Sequence, residues 1–356
     1  MLSLVTLPTL GGGNRVRIEQ YVGSLRAAGV DLQVSSFFDD AAYAILYRPG
    51  HLAEKVWAVF RGVARRLRDL SRLRRYDLVL VYRESAPLGP PLFERVLRRL
   101  RIPYVFDFDD AIYLAPVHPS NRRWAWLRRP SRVVETARHA AAVIVGNEYL
   151  ATWARLHNAV VEIIPSSVDT ERFRPDLVGP RDRSVVIGWV GSSTTAPYLG
   201  LLDGPLAELA RTDPELRMRV IGGTYCHPAM PVETLPYRLE EEPADVATFD
   251  IGVLPEPDDA WTRGKGAFKA LLYMATGLPV VASNVGVNSE VVVDGVTGYC
   301  VNTDDEWVAA ISRLAADPAL RREFGRLGRE RVERLYSAHH QAPRFEAVLR
   351  AALPRR

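Results

Sequence analysis

Residues 262 to 282 read Thr-Arg-Gly-Lys-Gly-Ala-Phe-Lys-Ala-Leu-Leu-Tyr-Met-Ala-Thr-Gly-Leu-Pro-Val-Val-Ala, and their order decides the fold. Phe268 to Ala275 has the make-up of a short helix and Gly277 supplies its stop. Leu278 to Ala282 is the short apolar run of a buried parallel strand. A Gly-Lys-Gly loop therefore enters a helix N-terminus that leads on into a core strand. Backbone N–H groups, the positive end of the helix dipole and the ammonium groups of Lys265 and Lys269 meet there, which suits a diphosphate. Only three of the 46 basic residues are lysines, Lys55, Lys265 and Lys269; the rest are arginines. Two of the three are thus placed four residues apart, expected on one helix face. A compact ammonium binds phosphate as a point charge, which a planar guanidinium does not. The competing explanation is that the two lysines fell together by chance.

Outward from this stretch, strand and helix patterns alternate along the whole chain. Apolar or β-branched runs occur at 2–7, 31–38, 77–82, 102–108, 142–145 and 160–164, with helical stretches at 15–28, 52–73, 91–100 and 133–139 between them. A second series follows at 184–190, 217–221, 236–239, 249–254, 278–282 and 297–301. Two such series predict an α/β protein of two doubly wound parallel-sheet, Rossmann-like domains facing an interdomain cleft. The boundaries read as an N-terminal domain 1–168, a linker 169–182 rich in Pro, Asp and Arg, and a C-terminal domain 183–336. A last helix, 337–356, is expected to pack back on the first domain.

A length of 356 residues, 47% hydrophobic and 25% charged residues are values of a globular chain of two domains. Cys226 and Cys300 have neither metal nor disulfide-framework spacing, which fits a reducing cytoplasm. No apolar run approaches the roughly 18 residues of a spanning helix. Charge is uneven: residues 1–180 hold 26 Lys+Arg against 18 Asp+Glu, residues 181–356 hold 20 against 24. Much of the excess lies in a helix carrying Arg61, Arg65, Arg66, Arg68, Arg72, Arg74 and Arg75. Its Val56, Phe60, Val63, Leu67 and Leu70 recur at three or four residues. A basic amphipathic helix of this kind predicts contact with an anionic membrane surface, against the plainer reading of a solvated face. Nucleic acid is not expected, because no recognition motif accompanies the charge.

Three further motifs carry candidate chemistry. Gly11-Gly12-Gly13 follows the first strand and lets a ligand approach the backbone, or is a plain turn. It is not the dinucleotide fingerprint, whose third glycine would fall on Val16, so a nicotinamide enzyme is disfavoured. Tyr104-Val-Phe-Asp-Phe-Asp-Asp110 ends a strand with Asp107, Asp109 and Asp110 at the sheet edge where catalytic groups gather. Asp107 and Asp110 have the alternative of capping the next turn. His118 is a weaker candidate downstream. In Ile187-Gly-Trp-Val-Gly-Ser-Ser-Thr-Thr195, Gly191, Ser192 and Ser193 form a small-residue loop able to bind phosphate oxygens.

The helix ending Tyr-Met-Ala-Thr-Gly-Leu-Pro-Val-Val resembles the donor signature of family 4 retaining glycosyltransferases, the glycosyl transferases group 1, with the GT-B fold. Val145-Gly-Asn147, Ile164-Pro-Ser-Ser-Val-Asp169, Phe173-Arg-Pro175 and Asp294-Gly-Val-Thr-Gly298 match it in order and spacing. The resemblance runs from about residue 3 to residue 336 and is strongest over 245–302. It implies a hexosyltransferase moving a sugar, with retention, from a nucleotide-diphosphate donor to a hydroxyl acceptor, in glycan, glycolipid or glycosylated-metabolite biosynthesis. A UDP-sugar is favoured over a GDP-sugar. Arg263, Lys265, Lys269, Gly191, Ser192, Ser193, Gly12 and Gly13 would hold the donor; Asp109, with Asp107 and Asp110, would stand beside the sugar. Asp107-Phe108-Asp109 also matches the metal signature of the other major glycosyltransferase fold, but the fold implied here works without metal, so no cofactor is expected. The acceptor would be lipid-linked and the protein cytoplasmic, peripheral on the inner face of the membrane. Two departures stand out. Asp109 takes the place of a family histidine. Gly264 and Leu272 fall where the family carries two glutamates, the second of them the ribose ligand; Glu256, Asp258 or Asp259 would stand in for the first. A non-catalytic glycosyltransferase-like subunit and a GT-B type nucleotide-sugar epimerase remain as alternatives.

Overall fold

A computed structural model describes residues 1–87, 89–114, 130–177, 179 and 184–353. His118 lies outside them. The chain divides into two compact units, one of Met1–Ser166 with Gln341–Arg356, the other of Ser167–His340.

The first unit is built on six parallel strands: β1 (Leu2–Val5), β2 (Gln33–Ser36), β3 (Val79–Tyr82), β4 (Tyr104–Phe108), β5 (Ala142–Val145) and β6 (Val161–Ile163). Their order is β2-β1-β3-β4-β5-β6. β1, β3, β4 and β5 are buried at every residue, as continuous apolar runs covered on both faces must be. The last helix, Ala338–Ala351, carries Phe345 and Leu349 into this unit with no exposed surface. Phe345 stacks on Tyr21 at 4.8 Å, and Arg344 and Arg350 donate to the carbonyls of Ile163 and Ala28 at 2.9 and 2.5 Å.

The second unit repeats the plan with β7 (Val186–Val190), β8 (Arg217–Ile221), β9 (Val232–Leu235), β10 (Ile251–Leu254), β11 (Val280–Ser283) and β12 (Gly298–Val301), in the order β12-β11-β10-β7-β8-β9. Residues alternate between two buried layers: Ile187 and Trp189 face one, Val190 the other with the helix Phe268–Ala275. Gly252 leaves room for the Tyr273 ring, whose hydroxyl accepts the Val190 N–H at 3.0 Å and so ties that helix to β7. Gly277, at φ +78°, ends the helix in the left-handed conformation that favours glycine.

Three expectations need correction. The run 236–239 is no strand. β9 lies just before it, at an edge where Pro236, lacking an N–H, would break the ladder. The helix expected over 15–28 is interrupted: Gly13–Arg17 and Val22–Ala27 are helical, with a 3-10 turn at Glu19–Tyr21 between them. The expected linker 169–182 is, in its described part, packed into the second unit. Phe173 is buried there, and Arg329 donates to the carbonyls of Thr170, Phe173 and Ala275.

Candidate functional site

Each sheet reverses its strand order once, between β1 and β3 in the first unit and between β7 and β10 in the second. Ligands of open α/β sheets bind beyond the strand ends at such points. The expected glycine and lysine loops fall there, and the acidic loop ends the neighbouring strand β4.

In the second unit β10 runs into Pro255 and the buried Glu256, and β7 into Gly191 and the serine–threonine loop. The Glu256 N–H donates to Ser283 Oγ at 2.9 Å, and its carboxylate accepts from Asn288 Nδ2 at 3.2 Å and Lys265 Nζ at 3.3 Å. The Lys265 ammonium also lies 4.6 Å from the centre of the Tyr198 ring, and that of Lys269 lies 5.7 Å from the Trp189 ring. A ring face attracts a cation while leaving its N–H donors for other acceptors. The lysines are therefore fixed near the ends of β7 and β10, one by a carboxylate and a ring, the other over a ring.

The two lysines do not share a helix face. The helix starts at Phe268, so Lys269 sits in its first turn while Lys265 is in extended backbone after the 3-10 turn Thr262–Gly264. Between them Ala267 takes φ +51°, a left-handed conformation unusual for a residue with a β-carbon. Strain of this kind collects at ligand loops. Arg263 is drawn away: its guanidinium forks onto Asp258 at 2.6 and 2.9 Å in a solvated pair. Gly191 also departs from expectation, because its N–H is already donated to the Ile221 carbonyl at 3.0 Å. Ser192 and Ser193 are exposed, with Ser192 Oγ 2.7 Å from Thr194 Oγ1. Leu272, in the place of the family's ribose glutamate, is 2% exposed and belongs to the core.

In the first unit the three aspartates separate into two roles. Asp107 is fully buried and takes Arg17 Nε at 2.8 Å; Arg17 also donates to the carbonyls of Ile164 and Pro165. Burial outweighs the attraction of Arg17 and pushes the Asp107 carboxyl up to about 6. It cannot touch a sugar, which corrects its expected catalytic role: it fastens the helix Gly13–Arg17 to β4. Asp109 accepts the Tyr82 hydroxyl at 2.8 Å and Arg83 Nε at 2.9 Å, and Arg83 also pairs with Asp110. Burial opposes its charge, yet Arg83 and Arg17 hold the Asp109 carboxyl below the ordinary range. Arg83 itself stands at φ +59° directly after β3. Gly13 abuts Tyr82, so the glycine loop and the acidic strand end do come together, whereas Gly12 at φ +78° has open space at its β-position.

Sequence reasoning missed Arg17, Tyr82, Arg83, Tyr198, Trp189 and Asn288. A signal existed for one of them: Arg83-Glu84 follows an apolar strand directly, as Asp109-Asp110 does.

Residues 185–317 match the family model described as glycosyl transferases group 1. A D-inositol 3-phosphate glycosyltransferase of Kribbella flavida is 32% identical over 204 residues, 49% of this chain and 47% of that protein. A GDP-mannose-dependent alpha-(1-6)-phosphatidylinositol monomannoside mannosyltransferase of Mycolicibacterium smegmatis is 34% identical over 203 residues, 48% and 51% of the two chains. The chain thus matches about half the length of these relatives. Among solved structures, Anabaena HepE in complex with UDP and glucose has a TM-score of 0.72 at 15% identity, covering 98% of this chain and 99% of that one. Sucrose-phosphate synthase from Thermosynechococcus elongatus reaches 0.70 at 18% identity over 98% of both. The architecture is that of the GT-B glycosyltransferases. Within it, the match to the group 1 glycosyltransferase family is confined to the second unit.

Proposed function

We propose that the protein transfers a sugar from a nucleotide-diphosphate donor to a hydroxyl acceptor, with the donor held by the second unit. The observation that carries this reading is the pair of lysines fixed at the ends of β7 and β10, Lys265 by Glu256 and Tyr198 and Lys269 by Trp189, within the family-matched segment. Their charge would neutralise the leaving diphosphate, with Ser192 and Ser193 as further donors. In a retaining transfer the bond from the anomeric carbon to the diphosphate oxygen breaks as the acceptor oxygen bonds to that carbon on the same face. The acceptor's proton passes to the leaving diphosphate oxygen. The protein contributes position and charge, and no metal is required.

A UDP-sugar is the favoured donor and a GDP-sugar the second, in keeping with the ligand of the Anabaena structure and the name of the mycobacterial relative. The acceptor is assigned to the first unit, with Asp109 orienting a hydroxyl there; the relative's name supports a lipid-linked one. The test is a thermal-shift titration with UDP, GDP and the matching nucleosides, then donor turnover with and without acceptor. Binding at 100 times Kd adds about 2.7 kcal/mol of stability. Stabilisation by nucleosides as strong as by diphosphates would refute the lysine assignment.

A subunit without catalysis is the second reading, favoured by one observation: Leu272 is walled into the core where the family's ribose ligand stands. Such a chain would bind a donor and turn over none.

A further inference from the structure

The helix Leu52–Arg72 is turned inside out with respect to its unit. It buries Ala58, Gly62 and Arg66, the smallest and the most polar part of its surface. Gly62 lies against the Phe37 ring, where a β-carbon would come within 2.3 Å. Arg66 spends its donors on the Ser85 carbonyl at 2.6 Å, the Val5 carbonyl at 2.7 Å and the Asp69 carboxylate at 3.0 Å. Apart from Val59 and Leu70, which are half-buried, the larger apolar side chains look the other way. Leu52, Val56, Trp57, Phe60 and Leu67 are 56 to 61% exposed, and Val63 is 44% exposed. Trp57 and Phe60 stack at 5.4 Å. At a hundred degrees per residue these positions form one continuous stripe, about 23 Å long.

Arginines line one edge of that stripe. Arg61 is tied to Asp39, and Arg65 to the carbonyls of Ser36 and Phe37. Arg68 and Arg72, with Arg74 and Arg75 beyond the helix, are exposed. The acids of the helix are Glu54, at its start beside His51, and Asp69, taken up by Arg66 and Ser35. An exposed apolar patch of this length marks a binding surface. Two copies pressed together through it would set arginine rows near one another, which costs affinity. A surface of negative charge over hydrocarbon meets both halves of the pattern.

We propose that this helix lies in the interface of an anionic lipid bilayer, with Trp57, Phe60, Val63 and Leu67 entering the acyl boundary and Arg68, Arg72, Arg74 and Arg75 on the headgroup phosphates. The inference goes beyond the transferase reading and stands without it. No described helix is long and apolar enough to cross a membrane, so the contact is with one leaflet.

The test is co-sedimentation of the intact protein with phosphatidylcholine vesicles with and without phosphatidylglycerol, at low and high salt. Binding should need the anionic lipid and weaken with salt. A Phe60→Ser and Leu67→Ser double variant and an Arg68→Glu and Arg72→Glu double variant should each bind at least about tenfold more weakly. Both alter exposed side chains, and an unchanged melting temperature verifies their folding. Failure to bind anionic vesicles at low salt, or equal binding by folded variants, overturns the proposal. So does a dimer in light scattering that the Phe60→Ser and Leu67→Ser variant converts to monomer, which would make the stripe an interface between copies.

Discussion

The hydroxyl of Tyr82 stands 2.7 Å from the point where a β-carbon on Gly13 would sit. The same hydroxyl donates to Asp109 at 2.8 Å. The glycine loop after β1 is thus in register with the carboxylates after β4 through one phenol. Gly13→Ala should push that phenol from Asp109 and cost about 1–3 kcal/mol, the usual scale of overpacking. Tyr82→Phe removes the clashing atom, so the double variant should be more stable than the sum of the single losses. Urea unfolding of the four proteins measures this coupling, and strict additivity would show that the loop moves aside instead.

The two lysines should respond differently to removal. Lys269→Ala takes an ammonium from over Trp189. It should weaken nucleoside diphosphate binding by roughly 1.5–3 kcal/mol and nucleoside binding little, by calorimetric titration. Lys265→Ala strands Glu256, which is 5% exposed, and should in addition lower stability by roughly 3–5 kcal/mol. Lys265→Ala with Glu256→Gln should recover most of that stability but not the affinity.

Asp107 gives the protein a pH dependence of definite sign. Its carboxyl is pushed up to about 6 in the folded chain from an ordinary 3.8. Between those values the folded state holds a proton that the unfolded state has lost. The stabilisation is complete below the unfolded value and is lost as pH rises through the folded one. The stability difference between the unmodified protein and Asp107→Asn should therefore shrink by roughly 2–3 kcal/mol from pH 4 to pH 6. A difference that grows over this range would mean that Arg17 dominates the carboxyl.

Leu272→Glu should not restore a ribose ligand. A carboxylate placed at a 2% exposed site amid Leu271, Met274 and Val332 has no partner and should destabilise by more than about 3 kcal/mol. With an apolar wall at that position, ribo and 2′-deoxy diphosphates should bind the unmodified protein within about tenfold. A strong ribo preference would place the ribose contact on another residue.

Donor turnover should survive a chelator. Asp107 is buried against Arg17, and Asp109 accepts from Tyr82 and Arg83. Loss of activity on chelation with rescue by added manganese would contradict the metal-free reading.

The architecture was legible because each strand and helix is a local pattern and their alternation implies parallel sheets. Ala142–Val145 is an unbroken apolar run, Arg217–Ile221 alternates arginine with apolar residues before ending apolar, and Phe268–Ala275 is stopped by Gly277. β9 was harder to find, since Val232, Glu233, Thr234 and Leu235 form a half-exposed edge without an apolar run. The acidic cluster was visible as a group of charges but not as two roles. Asp107 is settled by Arg17, 90 residues earlier, and Asp109 by Arg83, 26 residues earlier. Lys265 and Lys269 were visible as rare residues; what holds them was not. Asn288, which fixes Glu256 from 32 residues away, has no local pattern that announces it. The left-handed Ala267 is equally silent, because alanine is the residue expected of a helix there.

The last helix gives the chain an order of assembly. Phe345 and Leu349 complete the interior of the unit that contains the first strand, and Tyr21 has its stacking partner only when residue 345 is present. A ribosome delivers the entire second unit, Ser167–His340, before those residues. During synthesis the later-encoded unit is therefore the first to have all its parts, and the earlier one waits with an open apolar seam beside Tyr21. Release of the chain a few residues early would leave that seam unfilled in an otherwise finished molecule.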